Sequence, residues 1–459
     1  MTKARRVAAI ALCAGLAAGF AGLLGQVGGD LDLPGGRSSR PQPTTTARPD
    51  VDSRTQAGSP VPTVDEASAR MAAAQDLLSA RAAAVKARSK SAWMDTVDLT
   101  GSSFGRRQAL AFDNLMQLPL GQFSYGTAQS APALADARAR RVGPKAWVAT
   151  VFGTYSLAGY DQEPRPFEAT YTLVQRPDGW RLADDTDGAT AFQMWDLPGL
   201  RVLRGTFAIV IGNAPEARMR DYTAIADSAV RRVKGIWGTD WNSHVVIVTP
   251  STTEEFADLL FRSADDGLDQ VAAITQGEIH SGQQAQGDRV IINPKAFSAL
   301  QRNGRRVVIT HELTHVATRS STTRPVPIWL SEGMADYVGY SGLDLSRARV
   351  ASELLTQVRR GKGPKALPAV ADFDPARTKI APSYSASWLA VSRLVDLHGQ
   401  AKVVSFYRAI AGQLSVDRSV QFDPDAVAEQ AFPKKLGVTE ARFVDDWRTY
   451  LRTLAQTRG

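Results

Sequence analysis

The most constraining stretch of this chain is Val307-Val308-Ile309-Thr310-His311-Glu312-Leu313-Thr314-His315-Val316-Ala317-Thr318. Two histidines stand four residues apart among Val, Ile, Leu and Ala. On a helix, positions i and i+4 project from one face, a turn apart. The apolar neighbours predict that this helix is largely buried, and buried imidazoles need partners. The fold must therefore bring a second polar element against that face. Two imidazoles so placed can reach one Zn2+ at about 2.0–2.1 Å. Glu312, the next residue after His311, can touch a water without being a ligand. This is the His-Glu-x-x-His pattern, whose mechanics are two metal ligands and a general base. On the pentapeptide alone, a satisfied pair of histidines with an incidental Glu accounts for it equally well.

A catalytic zinc needs a third protein ligand and an open position. Downstream stands Pro327-Ile328-Trp329-Leu330-Ser331-Glu332-Gly333-Met334-Ala335-Asp336-Tyr337. Ser331-Glu332 reads as the first turn of a second helix. The gap of 17 positions from His315 allows a turn between two packed helices, with Glu332 facing the metal. Asp336 is i+4 from Glu332 and can accept a hydrogen bond from the distal nitrogen of a ligand histidine, His311 by preference, fixing the ring's orientation. The remaining histidines, His244, His280 and His398, read as ordinary surface or core residues.

These two segments together resemble the gluzincin metallopeptidases, and within them the peptidase MA-like domains related to the M1 aminopeptidase catalytic domain. There the two-histidine helix is followed by a Trp-Leu-x-Glu-Gly-x-Ala-x-Tyr helix. The resemblance spans roughly residues 200–415 and is most specific over 307–340. It implies zinc bound by His311, His315 and Glu332, water activated by Glu312, and peptide or protein substrates. It also implies an oxyanion-donating tyrosine at the head of a later helix. Tyr384, in Pro382-Ser383-Tyr384-Ser385, matches by order, with Tyr337 and Tyr340 as rivals and a packing role as the alternative. Two departures stand out. Sixteen residues separate His315 from Glu332 where aminopeptidases usually have 18, and no Gly-x-Met-Glu-Asn exopeptidase motif lies upstream. No substrate-binding residue can be singled out.

Cysteine usage agrees with a metal-activated water. Cys13 is the single Cys, so the chain beyond it has neither a disulfide nor a cysteine nucleophile. The net charge is +8, and seven Lys/Arg against four Asp in the first 60 residues leave 8 − 3 = +5 for the rest. That surplus does not point to nucleic acid.

Lys3, Arg5 and Arg6 precede the uncharged run 7–29, which predicts a signal or a single membrane anchor over residues 1–30. With the basic end inside, the folded part would lie outside the cytoplasm, as a single-pass membrane protein or, if cleaved, a secreted one. Residues 31–64 are rich in Pro, Thr and Gly and read as a disordered linker.

Residues 65–197 read as helices at 65–92 and 107–118, then strands at 122–128, 147–157, 167–175 and 180–183. That order predicts an α+β unit with helices on one face of an antiparallel meander. With the ending Arg176-Pro177-Asp178-Gly179-Trp180-Arg181-Leu182-Ala183-Asp184-Asp185, it resembles the NTF2-like superfamily. Trp93, Phe112, Phe123, Tyr125, Trp147 and Tyr155 are either pocket lining or core. Residues 200–459 predict a zincin-like unit of two lobes, a mixed sheet and then helices, the fold class of the whole being α+β. The strand at 290–293 is either an exposed edge for an extended peptide or an internal strand. The expected function is an extracytoplasmic zinc metallopeptidase. The alternative is a non-catalytic binding or scaffold protein of the same fold, favoured if His311, His315 and Glu332 fail to converge.

Overall fold

The computed structural model describes residues 13–16 and 64–457, apart from 100, 132, 144, 263–267, 269–270, 278–284, 286, 375–378 and 413–421. In chain order the strands are β1 (Cys13–Leu16), β2 (Leu120–Ser130), β3 (Trp147–Leu157), β4 (Arg165–Arg176), β5 (Gly179–Asp184), β6 (Arg201–Arg204), β7 (Ala208–Gly212), β8 (Val245–Thr249), β9 (Val271–Gln276) and β10 (Arg289–Ile292). The helices of 13 residues or more are α1 (Val64–Lys86), α2 (Ser103–Leu115), α3 (Glu216–Trp237), α4 (Arg302–Ser320), α5 (Ile328–Tyr340), α6 (Ala381–His398) and α7 (Glu440–Gln456). The protein is a mixed α+β structure.

Strands β2 to β5 form an antiparallel sheet in sequential order. Alternation along β3 and β4 sends Trp147, Ala149, Val151, Ala169, Tyr171 and Leu173 to one face. There they meet Ala74, Leu77 and Leu78 of α1 and Phe104 of α2. The expected helix over 65–92 is broken. It ends at Lys86, Arg88 adopts φ 54°, and Ser89 caps a short second helix, Lys90–Met94. The break turns Trp93 back into the core, where it is 2% exposed. Helix α2 starts earlier than periodicity suggests because Ser102 accepts from the Gly105 amide at 3.0 Å, supplying one of the first turn's missing bonds.

The second sheet has the order β1-β9-β10-β8-β7-β6. Its β7, β8 and β10 are parallel neighbours, and β9 runs antiparallel to β10. Residues of β7, β8, β9 and β10 are almost all buried, the continuous apolar pattern of strands covered on both faces. Ala208, Val210, Val245, Ile247, Val290 and Ile292 turn toward helices α3 to α7. Ile209, Ile211, Val246, Val248 and Ile291 turn the other way, into a core shared with Tyr155, Phe167, Trp195 and Leu197. The sheet is thus the middle layer, with helices on one face and the β2–β5 unit on the other. Of the two readings for residues 290–293, the structure takes the second: β10 is internal, paired on both sides.

The expected membrane anchor is not borne out. Among the described residues no helix is long and apolar enough to cross a membrane. Within the run 7–29 only Cys13–Leu16 is described, and it is a strand whose backbone pairs antiparallel with β9, Cys13 opposite Thr275. A spanning helix needs about 20 consecutive helical apolar residues, and a strand hydrogen-bonded to a sheet edge is a different structure. The single-pass location, with the folded part outside the cytoplasm, and the membrane contact it implied are therefore withdrawn. The remainder of segment 1–30 and the linker, up to residue 63, lie outside the described residues.

Polar contacts fasten the two layers where they meet. Arg289, at the start of β10, binds Asp161 through both carboxylate oxygens at 2.6 Å, with side chains 2% and 0% exposed. Arg165 donates to the Gly287 carbonyl, and Asn242 to that of Tyr160 at 2.7 Å. Removing one member of a buried ion pair leaves the other charge uncompensated, at a cost of about 3–5 kcal/mol. Arg289→Met is expected to destabilise the protein on that scale in urea denaturation. Arg289→Met combined with Asp161→Asn should recover part of the loss, since no charge then stays buried alone.

Candidate metal centre

Helix α4 brings His311 and His315 onto its inner face, and both are 1% exposed. The chain turns through residues 321–327 and returns as α5, which sets Glu332 opposite them. Two glycines permit the close helix packing. A Cβ on Gly333 would lie 2.4 Å from the Ser387 carbonyl oxygen of α6, and one on Gly339 would lie 3.1 Å from the Val307 carbonyl of α4. A side chain at Gly333 would push α5 off α6, whereas at Gly339 the contact is tight but closer to ordinary packing.

The three expected ligands converge. His311 Nε2 lies 3.0 Å from His315 Nε2, and Glu332 Oε2 lies 3.2 Å and 3.5 Å from them. A tetrahedral ion with ligands at about 2.0–2.1 Å requires ligand atoms about 3.3–3.4 Å apart. The observed triangle has that size. Among the described residues, His311, His315 and Glu332 are the group able to hold a metal. His244 and His398 do not belong to it, and His280 lies outside the described residues.

Hydrogen bonding fixes what these atoms offer. His311 Nδ1 sits 2.8 Å from Asp336 Oδ1, so Nδ1 carries the proton and Nε2 presents a lone pair. His315 Nδ1 lies 3.5 Å from Ser331 Oγ. Glu332 Oε2 is buried, and the two imidazoles are its polar neighbours. Electron-rich atoms from three side chains therefore face one another in a dry interior, an arrangement that repels itself unless a cation lies between them. The donor set of two imidazoles and one carboxylate suits zinc.

The titration behaviour has the same cause. Burial favours a neutral ring at His311, yet Asp336 and Glu332 push it well above the ordinary imidazole value. Burial and the neighbouring cation hold His315 below it. Glu332 is buried too, but His315 and His311 bring its carboxyl down to about 2. Burial raises Asp336 to about 6 against the pull of His311. A proton on His311 thus supplies the positive charge the cluster demands when no other cation does.

Glu312 is fully buried beside the ligands. Burial pushes its carboxyl up to about 8, opposed by His311 and by a hydrogen bond from Thr275. That bond, Thr275 Oγ1 to Glu312 Oε2 at 2.7 Å, ties the acid to strand β9. Nothing in the spacing of the two-histidine segment points to Thr275, which lies 37 positions from Glu312. The one available signal was a lone hydroxyl at the end of an apolar strand.

Of the three tyrosines, Tyr384 at the head of α6 faces the centre, its ring 6.1 Å from that of His311 and edge-on to Phe373. Tyr337 donates to Gln400 Oε1 at 3.2 Å, and Tyr340 packs on Trp388 with ring centroids 4.6 Å apart.

No family model matches the chain, and no curated protein does. Among solved structures it is similar to native yeast LTA4 hydrolase, with a TM-score of 0.33 at 15% identity, covering 55% of this chain and 38% of that one. It is also similar to an M1 zinc metallopeptidase from Deinococcus radiodurans, with a TM-score of 0.31 at 12% identity over 68% and 62% of the two chains. The yeast hydrolase in complex with bestatin gives a TM-score of 0.33 at 15% identity over 73% and 47%. The chain thus spans between 38% and 62% of the length of these proteins.

The purified protein is expected to bind one zinc per chain, measured by elemental analysis. His311→Ala should abolish binding, and Asp336→Asn should weaken it about 10–100-fold while the fold persists. Because the ion displaces a proton from His311, apparent affinity should fall as pH is lowered.

Proposed function

We propose that the protein is a zinc-dependent metallopeptidase of the gluzincin type, with a zincin-like fold over residues 200–459. The observation that supports this reading is the tetrahedrally sized triangle of His311, His315 and Glu332, with a buried carboxylic acid, Glu312, beside it. A structural zinc site is closed by four protein ligands, whereas three leave a position open to solvent and substrate. Bound there, a zinc ion would polarise the scissile carbonyl and lower the pKa of water toward about 7.

The chain's own groups divide the remaining work. Glu312 takes a proton from the attacking water and passes it to the leaving amine. The Thr275 hydroxyl holds Glu312 Oε2 in place and, by donating, favours the ionised form. Asp336 keeps His311 in the tautomer whose Nε2 is free to ligate. Tyr384 is the candidate donor to the oxygen that gains negative charge in the transition state. Substrates in this reading are peptides or unstructured proteins. No covalent enzyme intermediate is required in this reading.

Glu312→Gln should retain zinc and lose peptide hydrolysis by about 10²–10⁴-fold. Thr275→Val, nearly the same size but without the hydroxyl, should keep zinc, leave KM nearly unchanged and lower kcat. Both are read by cleavage of a quenched peptide library alongside metal content. A Glu312→Gln protein as active as wild type would rule the proposal out.

A further inference from the structure

A cavity lies outside the candidate metal centre, in the β2–β5 unit, with a volume of about 230 Å³. It is smaller than the roughly 300–1,000 Å³ of drug-sized sites. Five rings line it, Trp93, Phe123, Tyr125, Phe167 and Trp195, together with the acids Glu168, Asp185 and Asp196. The aromatics of this unit therefore divide. Phe112, Trp147 and Tyr155 lie in the core alone, whereas Trp93, Phe123 and Tyr125 pack on the core and also face the cavity.

Arg81, on α1, lines the same cavity and is 0% exposed. Its guanidinium lies 3.4 Å from the centre of the Trp93 ring. Its hydrogen-bond partners are all neutral. Nη1 donates to Thr96 Oγ1 at 2.9 Å, Nη2 to Gln108 Oε1, and Nε to the Tyr125 hydroxyl at 3.5 Å. Among the described residues no carboxylate forms an ion pair with it. The second arginine of the cavity, Arg107, is held by Asp184 and Asp185 at the protein surface. An arginine stays charged at any ordinary pH, and burying that charge without an anion is costly. Three contacts also leave part of the five-donor fork unused.

We propose that this cavity binds a small planar carboxylate, an arene carboxylate or one of similar shape. Its anionic end would lie toward Arg81 and Tyr125, and its flat body between the aromatic walls. The guanidinium fork matches a carboxylate in shape and charge. The rings provide apolar surface for a planar body. This site is separate from the metal centre and does not depend on the peptidase reading.

The test uses the full chain with benzoate as probe, benzamide as its neutral counterpart and acetate as the anion without a ring. Binding is read by tryptophan fluorescence, since Trp93 and Trp195 line the site, and by calorimetry. Benzoate is expected to bind saturably, with benzamide and acetate each at least tenfold weaker. Ala191→Trp, which fills the cavity from its lining, should abolish benzoate binding with zinc content unchanged. Arg81→Lys should keep the charge and weaken benzoate at least tenfold through loss of the fork. Because Arg81 is buried, circular dichroism is used to confirm that this variant is folded, and the Ala191→Trp result decides if it is not. The proposal is overturned if benzoate does not bind, if benzamide or acetate binds as well as benzoate, or if binding survives Ala191→Trp.

Discussion

The structure is organised around lone pairs from three side chains that point at one another inside a dry core. His311 Nε2, His315 Nε2 and Glu332 Oε2 form a triangle with sides of 3.0 to 3.5 Å, which needs a positive charge, on an ion or as a proton on His311, to hold together. Left without a positive charge, such a cluster would open the helices that carry it. Much of the surrounding architecture keeps it closed. Gly333 and Gly339 let α5 lie against both α4 and α6, and Asp336 pins the His311 ring from behind. The side chains of the cluster are carried by helices and a strand rather than by loops.

The grouping of His311, His315 and Glu332 was legible in the sequence because its logic is local. His311 and His315 are related by one helical turn, and Glu332 and Asp336 by another, so two periodicities brought four residues to one point. What remained hidden depends on tertiary placement. Thr275 reaches Glu312 across 37 positions, and a lone hydroxyl at the end of an apolar strand does not say which group it meets. The choice among Tyr337, Tyr340 and Tyr384 was equally closed to periodicity. It turns on tertiary contacts, Tyr340 on Trp388 and Tyr337 on Gln400, that leave Tyr384 beside His311.

The fold shows a similar division. Strand β3 was read to its last residue, because Trp147–Leu157 alternates cleanly between two faces. Helix α1 was read too long, since residues 65–92 contain neither Gly nor Pro. The chain nevertheless breaks at Arg88, in a left-handed conformation that ordinary residues seldom adopt. The gain is the burial of Trp93, a tertiary effect that outweighs local helix propensity. The N-terminal run failed as an anchor for a related reason. Apolar length alone does not distinguish a spanning helix from a segment that adds to a sheet, and Cys13–Leu16 pairs with β9.

The central sheet being covered on both sides has a practical corollary. The β2–β5 unit acts as a lid of oil over Ile209, Ile211, Val246, Val248 and Ile291, sealed by Tyr155, Phe167 and Trp195. A fragment cut at residue 200 to isolate the histidine-bearing half would expose that greasy floor as one continuous patch. Soluble monomers rarely tolerate such a patch. The fragment would clump or precipitate, and its inactivity would say nothing about the chemistry of the intact chain.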